Sequence, residues 1–312
     1  MSRLAIINPG ILSLIQDLGR YGGAQQGITQ GGAMDLHAFC WANYLLSNDS
    51  NAAQLELTVG LACFEALDDC QCALAGANMA ATIDGQPIAP WQSFLLKKGQ
   101  ILQFRAAKYG LRAYLAIRGG FKIPKVLGSA ATVMREQLGG LDHGQPLTSN
   151  TVLEGNKVPL LSRYSIVPTE YIPDYSADVV LSVIEAYQAE CFTHQQKKRF
   201  YRQHYQVTSA SDRMGCRLEG EKIVGVAMEL ISQPIATGAI QIPPDGLPII
   251  LLNDRQTLGG YPILGCITRM DVLRLAQVKP NDKVQFKAID AQLLIDYQQR
   301  WMDFCRFFTL PF

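Results

Sequence analysis

Charge is scarce in this chain. Of its 312 residues, 18% are Asp, Glu, Lys or Arg, against about 25% in an ordinary globular domain. The 28 basic and 27 acidic side chains leave a net charge of +1. That balance provides no field to steer a nucleic acid or an anionic membrane, so neither is expected as a partner. A surface so poor in charge points instead to cover by another protein. There is no run of eighteen apolar residues, the length a membrane helix needs. Met1-Ser2-Arg3 leads straight into a strand, Leu4-Ala5-Ile6-Ile7, and a cytoplasmic protein is expected. Histidine is limited to His37, His143, His194 and His204, without metal spacing, and no metal is expected. The chain lacks G-x-x-x-x-G-K-[S/T], G-x-S-x-G and H-E-x-x-H, which excludes a Walker-type phosphate loop, a nucleophile elbow and a zincin helix. It also lacks a Met-Lys dipeptide, so any biotin would arrive on another chain. The eight cysteines include no C-x-x-C and read as reduced thiols. Cys70 and Cys72 share one strand face, where packing explains them.

Glycine (27) and proline (15) are plentiful. They punctuate short apolar or alternating runs, a pattern that predicts a mainly β protein with a few helices. Residues 112–118 alternate Arg112, Tyr114, Ala116 and Arg118 with Ala113, Leu115 and Ile117, a half-buried strand ended by Gly119-Gly120. Three helices are predicted. One covers 36–46, capped by Asp35. The next covers 194–204, opened by the capping box Thr193-His194-Gln195-Gln196. The last covers about 288–305, with Leu294, Tyr297, Trp301 and Phe304 or Cys305 turned inward. Lys197, Lys198, Arg199 and Arg202 read as a solvated helix face. The polar, glycine-rich stretch 128–157 reads as a long loop or arm, an element typical of lids and binding loops. Two domains are expected at this length, with a boundary near residue 160: 1–160 with the long loop, 161–312 with the C-terminal helix. Gly99-Gln100-Ile101-Leu102-Gln103-Phe104 resembles Asn281-Asp282-Lys283-Val284-Gln285-Phe286, a hint of duplication.

The most informative segment is Gln256-Thr257-Leu258-Gly259-Gly260-Tyr261-Pro262, following the apolar run Pro248-Ile249-Ile250-Leu251-Leu252 and Asn253-Asp254-Arg255. On an extended chain Asp254 and Gln256 would share one face, Arg255 and Thr257 the other. A charged cluster at the end of a buried strand must be paired, hydrogen-bonded or in contact with a ligand. The plainer alternative is a salt-bridged turn at the surface.

Three further sets of polar residues lie among glycines. The first comprises Asn8-Pro9-Gly10, Gln16-Asp17-Leu18-Gly19-Arg20, Gly31-Gly32-Ala33-Met34-Asp35, Ala42-Asn43 and Leu55-Glu56. The second is Leu127-Gly128-Ser129-Ala130-Ala131-Thr132, and the third Ser211-Asp212-Arg213-Met214-Gly215. Together with Gly238-Ala239-Ile240-Gln241, Asp245-Gly246-Leu247-Pro248 and the segment to Pro262, they resemble one family from about Asn8 to Phe286. It is the family named for allophanate hydrolase subunit 2, which includes KipA, the C subunit of bacterial 5-oxoprolinase and half of the carboxyltransferase domain of urea carboxylase. The resemblance implies two cyclophilin-like β-barrel units. It also implies a smaller partner, KipI-like or the B subunit of 5-oxoprolinase, with an A subunit in the enzyme. The activity it implies first is ATP-dependent opening of 5-oxoproline, with ATP, alone or with Mg2+, in the complex. The alternatives are biotin-dependent carboxyl transfer, with biotin on a partner chain, and a KipA-like regulatory role.

Such a reaction needs cations for a carboxylate or phosphate and hydrogen bonds to a ring amide. Within the resembling motifs Arg20, Arg118, Arg213 and Arg255 suit the first task, and Gln241, Asn43 or Gln256 the second. Asp17, Asp212 or Asp254 could orient an arginine or bind Mg2+. Ser129 and Thr132 could donate to an anion, and Tyr261 could form a pocket wall. Asp254, Arg255, Gln256 and Thr257 are the leading catalytic candidates. Structural alternatives stand beside several of these: an Asp17–Arg20 pair, a strand-capping turn at Asp212-Arg213, and a buried structural Glu56. One departure matters. The family often has Gly-Ser-Arg-Ser-Thr where this chain has Gly128-Ser129-Ala130-Ala131-Thr132, and Arg135 is the nearest replacement cation. Asn281 replaces a usual glycine, and asparagine tolerates the left-handed turn expected there.

Overall fold

The computed structural model describes residues 2–224 and 231–311. Contacts divide the chain into two units: Met1–Arg20 with Gly31–Ser176, and Tyr21–Gln30 with Ala177–Phe312. The expected boundary near 160 thus falls inside the first unit. Residues 161–167 are tied to its sheets: Leu161 N–H donates to Gln71 Oε1 (2.7 Å), Ser165 N–H to Ser93 Oγ (2.8 Å) and Val167 N–H to the Trp91 carbonyl (2.9 Å).

The first unit contains two antiparallel sheets. One runs, in spatial order, Val152–Glu154, Arg3–Pro9, Ala62–Ala66, Ile101–Gln103, Thr82–Ile83 and Gln86–Pro87. The other runs Leu12–Gln16, Gln54–Thr58, Arg112–Ile117, Cys70–Gly76 and Gln92–Leu96. Leu4, Ile6, Phe64 and Leu102 from the first sheet share one apolar core with Ile15, Leu55, Leu74 and Leu115 from the second. Strand Arg112–Ile117 is buried at every residue rather than on one face. It is an interior strand of its sheet, and helix α1 (Leu36–Leu45) packs against it, with Phe39 edge-on to Tyr114 at 6.0 Å. The Tyr114 hydroxyl that this buries is matched. Tyr114 Oη donates to Glu56 Oε2 (2.6 Å), which also accepts the Met34 N–H (2.9 Å). Glu56 is therefore the structural carboxylate, and burial beside it holds the Tyr114 phenol well above its ordinary pKa. Asp35 caps α1 by accepting the Ala38 N–H (3.1 Å). Arg118 Nη1 closes the other end on the carbonyls of Leu46 and Ser47 (2.8 and 2.7 Å).

The second unit is a closed barrel of seven strands, in order Val179–Glu185, Ile263–Ile267, Ala239–Gln241, Ile249–Leu251, Gly215–Glu219, Tyr205–Val207 and Lys283–Ala288. Helix α2 (His194–Arg202) begins with the expected capping box between Thr193 and Gln196. It buries Phe200, which stacks on Phe286 at 4.4 Å. Its basic face is solvated, with Lys197 on Glu185 at 2.6 Å and Arg199 near Glu221 at 3.5 Å. Helix α3 (Arg269–Leu275) escaped the sequence reading because seven residues carry almost no periodicity. Its signal was Thr268, whose Oγ1 accepts the Asp271 N–H (3.2 Å). Helix α4 is Ala291–Phe307. Gly99 and Asn281, which open the two similar motifs, both have left-handed φ (+83° and +76°). No helix among the described residues is long and apolar enough to cross a membrane. Burial lifts the Cys70 thiol to about 11.

The long loop is not a free arm. Residues 129–133 are buried, and Asp17 holds them there: its carboxylate accepts from Ser129 Oγ (2.6 Å), Ala130 N–H (2.7 Å) and Gly19 N–H (2.8 Å). Arg20 donates to the carbonyls of Val126 (3.0 Å), Ser129 (3.3 Å) and Ala131 (2.6 Å). Gly139 (φ +68°) passes so close that a Cβ there would meet the Ala131 carbonyl and Arg20 Nη2. Asp17→Ala strips three donors of their acceptor. At about 1–3 kcal/mol for each unmatched buried group, a loss of about 3 kcal/mol or more is expected in urea denaturation; wild-type stability would contradict this account of the loop.

Candidate functional site

Strand Ile249–Leu251 does not run on extended. Asn253 and Asp254 form a turn, so the expected two-faced alternation from Asp254 to Thr257 does not hold. The turn is fixed by a buried pair. Arg213 Nε and Nη2 donate to Asp254 Oδ2 and Oδ1 (2.8 and 3.0 Å), and each residue is 3% exposed. Backbone bonds reinforce it: Asp254 N–H donates to the Arg213 carbonyl and Leu252 N–H to that of Met214, both at 2.9 Å. Asp212 Oδ1 shapes the facing turn by accepting the N–H groups of Met214 (2.8 Å) and Gly215 (3.1 Å). Arg255 Nε donates to the Ile235 carbonyl (2.9 Å), and burial pulls its guanidinium pKa down. The Arg255 carbonyl accepts from Thr29 Oγ1 (3.3 Å), and the Thr257 carbonyl from the Ile235 N–H (3.0 Å). Thr29 is a contact that sequence spacing could not show, since 226 positions separate it from Arg255.

Beside this turn lies a cavity of about 360 Å³. Its buried wall is Gly215, Gln241, Pro243 and Leu251; Met214, Ile249 and Gln256 are half-buried; Asp212, Arg217, Pro244, Asp245 and Tyr261 form the exposed rim. Gln241 is 1% exposed, and its Nε2 has no hydrogen-bond partner among the described residues.

The predicted site residues separate into two groups. Arg20, Asn43, Arg118, Ser129 and Thr132 belong to the first unit; the side chains of the first four bond main-chain atoms, while Thr132 is held through its own backbone. Asn43 Nδ2 donates to the Ala52 carbonyl (3.0 Å), and the Thr132 carbonyl accepts from Gln16 Nε2 (3.0 Å). Asp17 accepts from the Ser129 loop where a pair with Arg20 was the plainer expectation. Ala130 and Ala131 are 2% and 0% exposed, so this chain packs methyl groups at both positions. Arg135 is exposed. In the second unit Arg213, Asp254, Arg255 and Thr257 hold the turn, while Gln241, Gln256 and Tyr261 line the cavity. Arg217 and Asp245 were missed as cavity residues. The signal for Arg217 was its outward place in the alternating strand Gly215–Glu219, and for Asp245 the Asp-Gly turn after two prolines.

Breaking a buried ion pair from one side strands a charge, whereas replacing both partners by apolar groups does not. Arg213→Met is expected to cost about 3–5 kcal/mol in chemical denaturation, and Arg213→Met with Asp254→Leu to recover most of it. Equal stability of the single variant and the wild type would contradict the pair's role.

The family of the carboxyltransferase domain, subdomains A and B, matches residues 26–288. The C subunit of 5-oxoprolinase from Escherichia coli is 33% identical over 285 residues, which cover 91% of this chain and 90% of that one. The crystal structure of TTHA0988 superposes with a TM-score of 0.83 at 30% identity over 92% of this chain, which spans 56% of that longer one. The crystal structure of Kluyveromyces lactis urea carboxylase superposes with a TM-score of 0.87 at 26% identity, over 95% of this chain and 28% of that one.

Proposed function

The chain belongs to the family of carboxyltransferase domains, subdomains A and B, and on that premise we propose that it works as the C subunit of an ATP-dependent 5-oxoprolinase-type complex, opening 5-oxoproline to glutamate. The observation that carries this reading is the match to the C subunit of 5-oxoprolinase over 91% of this chain and 90% of that one. The cavity supports it: it is of small-molecule size, with an apolar wall and several polar groups converging on it. A cyclic amide bearing one carboxylate needs polar contacts for its ring and a cation for its charge. Gln241 and Gln256 suit the first, Arg217 the second. Asp254 and Arg213 act as positioning residues that fix the turn carrying Gln256, with Arg255 and Thr257 holding its far side.

ATP does not fit this donor set. The carboxylates of Asp212 and Asp245 share the rim with the guanidinium of Arg217, and together they repel a triphosphate. Among the described residues no group of three His, Cys, Asp or Glu side chains could hold a metal ion. We assign ATP, and any Mg2+ with it, to the partner chains, a KipI-like B subunit and an A subunit, in the cytoplasm. A second reading, carboxyl transfer from biotin carried on another chain, is favoured by the superposition on urea carboxylase.

The test is glutamate release from 5-oxoproline and ATP by the assembled A, B and C subunits. Release is expected to require this chain, and Gln256→Ala to lower kcat/KM by about tenfold, the scale of one lost hydrogen bond in a dry site, with assembly intact. An intact complex that releases no glutamate overturns the proposal; bicarbonate-dependent carboxylation of an amide by the chain with a biotin carrier is then the measurement for the second reading.

A further inference from the structure

We infer that Gln241 is the anchor of the cavity, the side chain that receives the carbonyl oxygen of a small cyclic amide. This rests on the reading of the cavity given above and narrows it to one residue and one ligand group.

Three carboxamides were suited to amide recognition by sequence, and the structure separates them. Asn43 has both ends committed: Nδ2 to the Ala52 carbonyl at 3.0 Å, and Oδ1 accepting from Asn48 Nδ2 at 3.1 Å. Gln256 is half-buried on the wall, within reach of water. Gln241 is removed from water at 1% exposure, yet its Nε2 has no partner among the described residues. A desolvated donor without an acceptor is destabilising, and the great majority of buried polar groups are matched. Gln241 lines the adjoining cavity, and a ligand oxygen that reached its carboxamide from there would supply the match.

The fold builds this position in two ways. Gln241 ends strand Ala239–Gln241 and pairs with Ile249 on one side. On the other side the register slips, so that Ile240 faces Gly265 but Gln241 faces Ile263. Such a bulge re-aims a side chain, and bulges concentrate beside active sites. Gly259 leaves the carboxamide its room: a Cβ there would lie 3.0 Å from Gln241 Nε2 and collide with Ile235 Cδ1.

The ligand class follows from the chemistry of the wall. A primary carboxamide presents N–H and C=O side by side. A ring amide, locked cis, presents the complementary C=O and N–H side by side, whereas an open-chain amide in its trans form does not. Asp212 and Asp245 on the rim disfavour a ligand with two carboxylates. The lactam of 5-oxoproline and the ureido ring of biotin on a partner chain share the required group.

The experiment is calorimetric titration of the full-length chain with 5-oxoproline, with 2-imidazolidone as the ureido ring, and with glutamate, alongside thermal unfolding without ligand. At least one ring amide is expected to bind, with glutamate at least tenfold weaker. Gln241→Met keeps the volume and removes the donor, so it is expected to weaken ring-amide binding by about tenfold. Its Tm is expected to stay level or rise, because an unmatched polar group is removed. Gly259→Ala, which crowds the carboxamide, is expected to weaken binding as well. Preference for 5-oxoproline supports the anchor together with the hydrolase reading; preference for 2-imidazolidone supports the anchor together with carboxyl transfer. The inference is overturned if neither ring amide binds, if Gln241→Met binds as the wild type does, or if Gln241→Met lowers the Tm, which would make Gln241 a structural residue. Loss of glutamate release in the complex with these binding results unchanged would overturn the hydrolase reading alone.

Discussion

The two-pronged ion pair between Arg213 and Asp254 is the constraint on which the cavity depends. Both charges are almost fully removed from water, so neither is tolerated there without the other, and their mutual geometry is set by two parallel N–H···O bonds. Because the two residues also share a backbone bond, the pair joins the turn before strand Gly215–Glu219 to the turn after strand Ile249–Leu251. Those strands are neighbours in the barrel, and Gly215, Arg217, Ile249, Leu251 and Gln256 from this region line the cavity. A shift at the pair would move several of its walls together. On the proposed reading, Arg213 and Asp254 would act on binding through these walls, since neither lines the cavity itself.

The first unit uses the same physics for a different end. Asp17 and Arg20 lie inside a loop that has almost no regular secondary structure, and between them they satisfy main-chain donors and acceptors that would otherwise be stranded. Glu56 does so for Tyr114 and Met34, and Arg118 for the end of α1. Polar residues set among glycines here therefore report buried irregular backbone that needs side-chain partners. The glycines permit the close approach and the charged side chains fill the vacated hydrogen bonds. Gln241 differs in lining a cavity while its Nε2 has no partner among the described residues, and it is this combination that points outward to a ligand.

Much of this was legible in the sequence, and what was not has identifiable causes. The β-rich character followed from glycine and proline punctuation, α1 and α2 from Asp35 and the Thr193 capping box, and the left-handed turn at Asn281 from the tolerance of asparagine for positive φ. Strand Arg112–Ile117 was misjudged as half-buried because alternation cannot reveal that a helix covers the second face. The expected boundary near 160 rested on the change of character after the polar stretch 128–157, whereas the contacts divide the chain after Ser176, because the ties of 161–167 to Gln71, Ser93 and Trp91 are long-range. At the site, the segment after Leu252 stood out in the sequence, but local alternation could not foresee that Arg213, 41 positions away, would turn Asp254 inward. Gln241, Gln256 and Tyr261 stood in the motifs; that they share one cavity is a product of barrel closure.

The central claim is that this chain meets its small-molecule partner in the second-unit cavity, at Gln241. The most direct measurement is a crystal structure of the chain soaked with 5-oxoproline. The account expects the lactam ring between Gln241 and Gln256, its oxygen within hydrogen-bond distance of Gln241 Nε2 and its carboxylate toward Arg217. A ligand seated instead at the Ser129–Thr132 loop, or a cavity holding only an ordered water on Gln241, would contradict it.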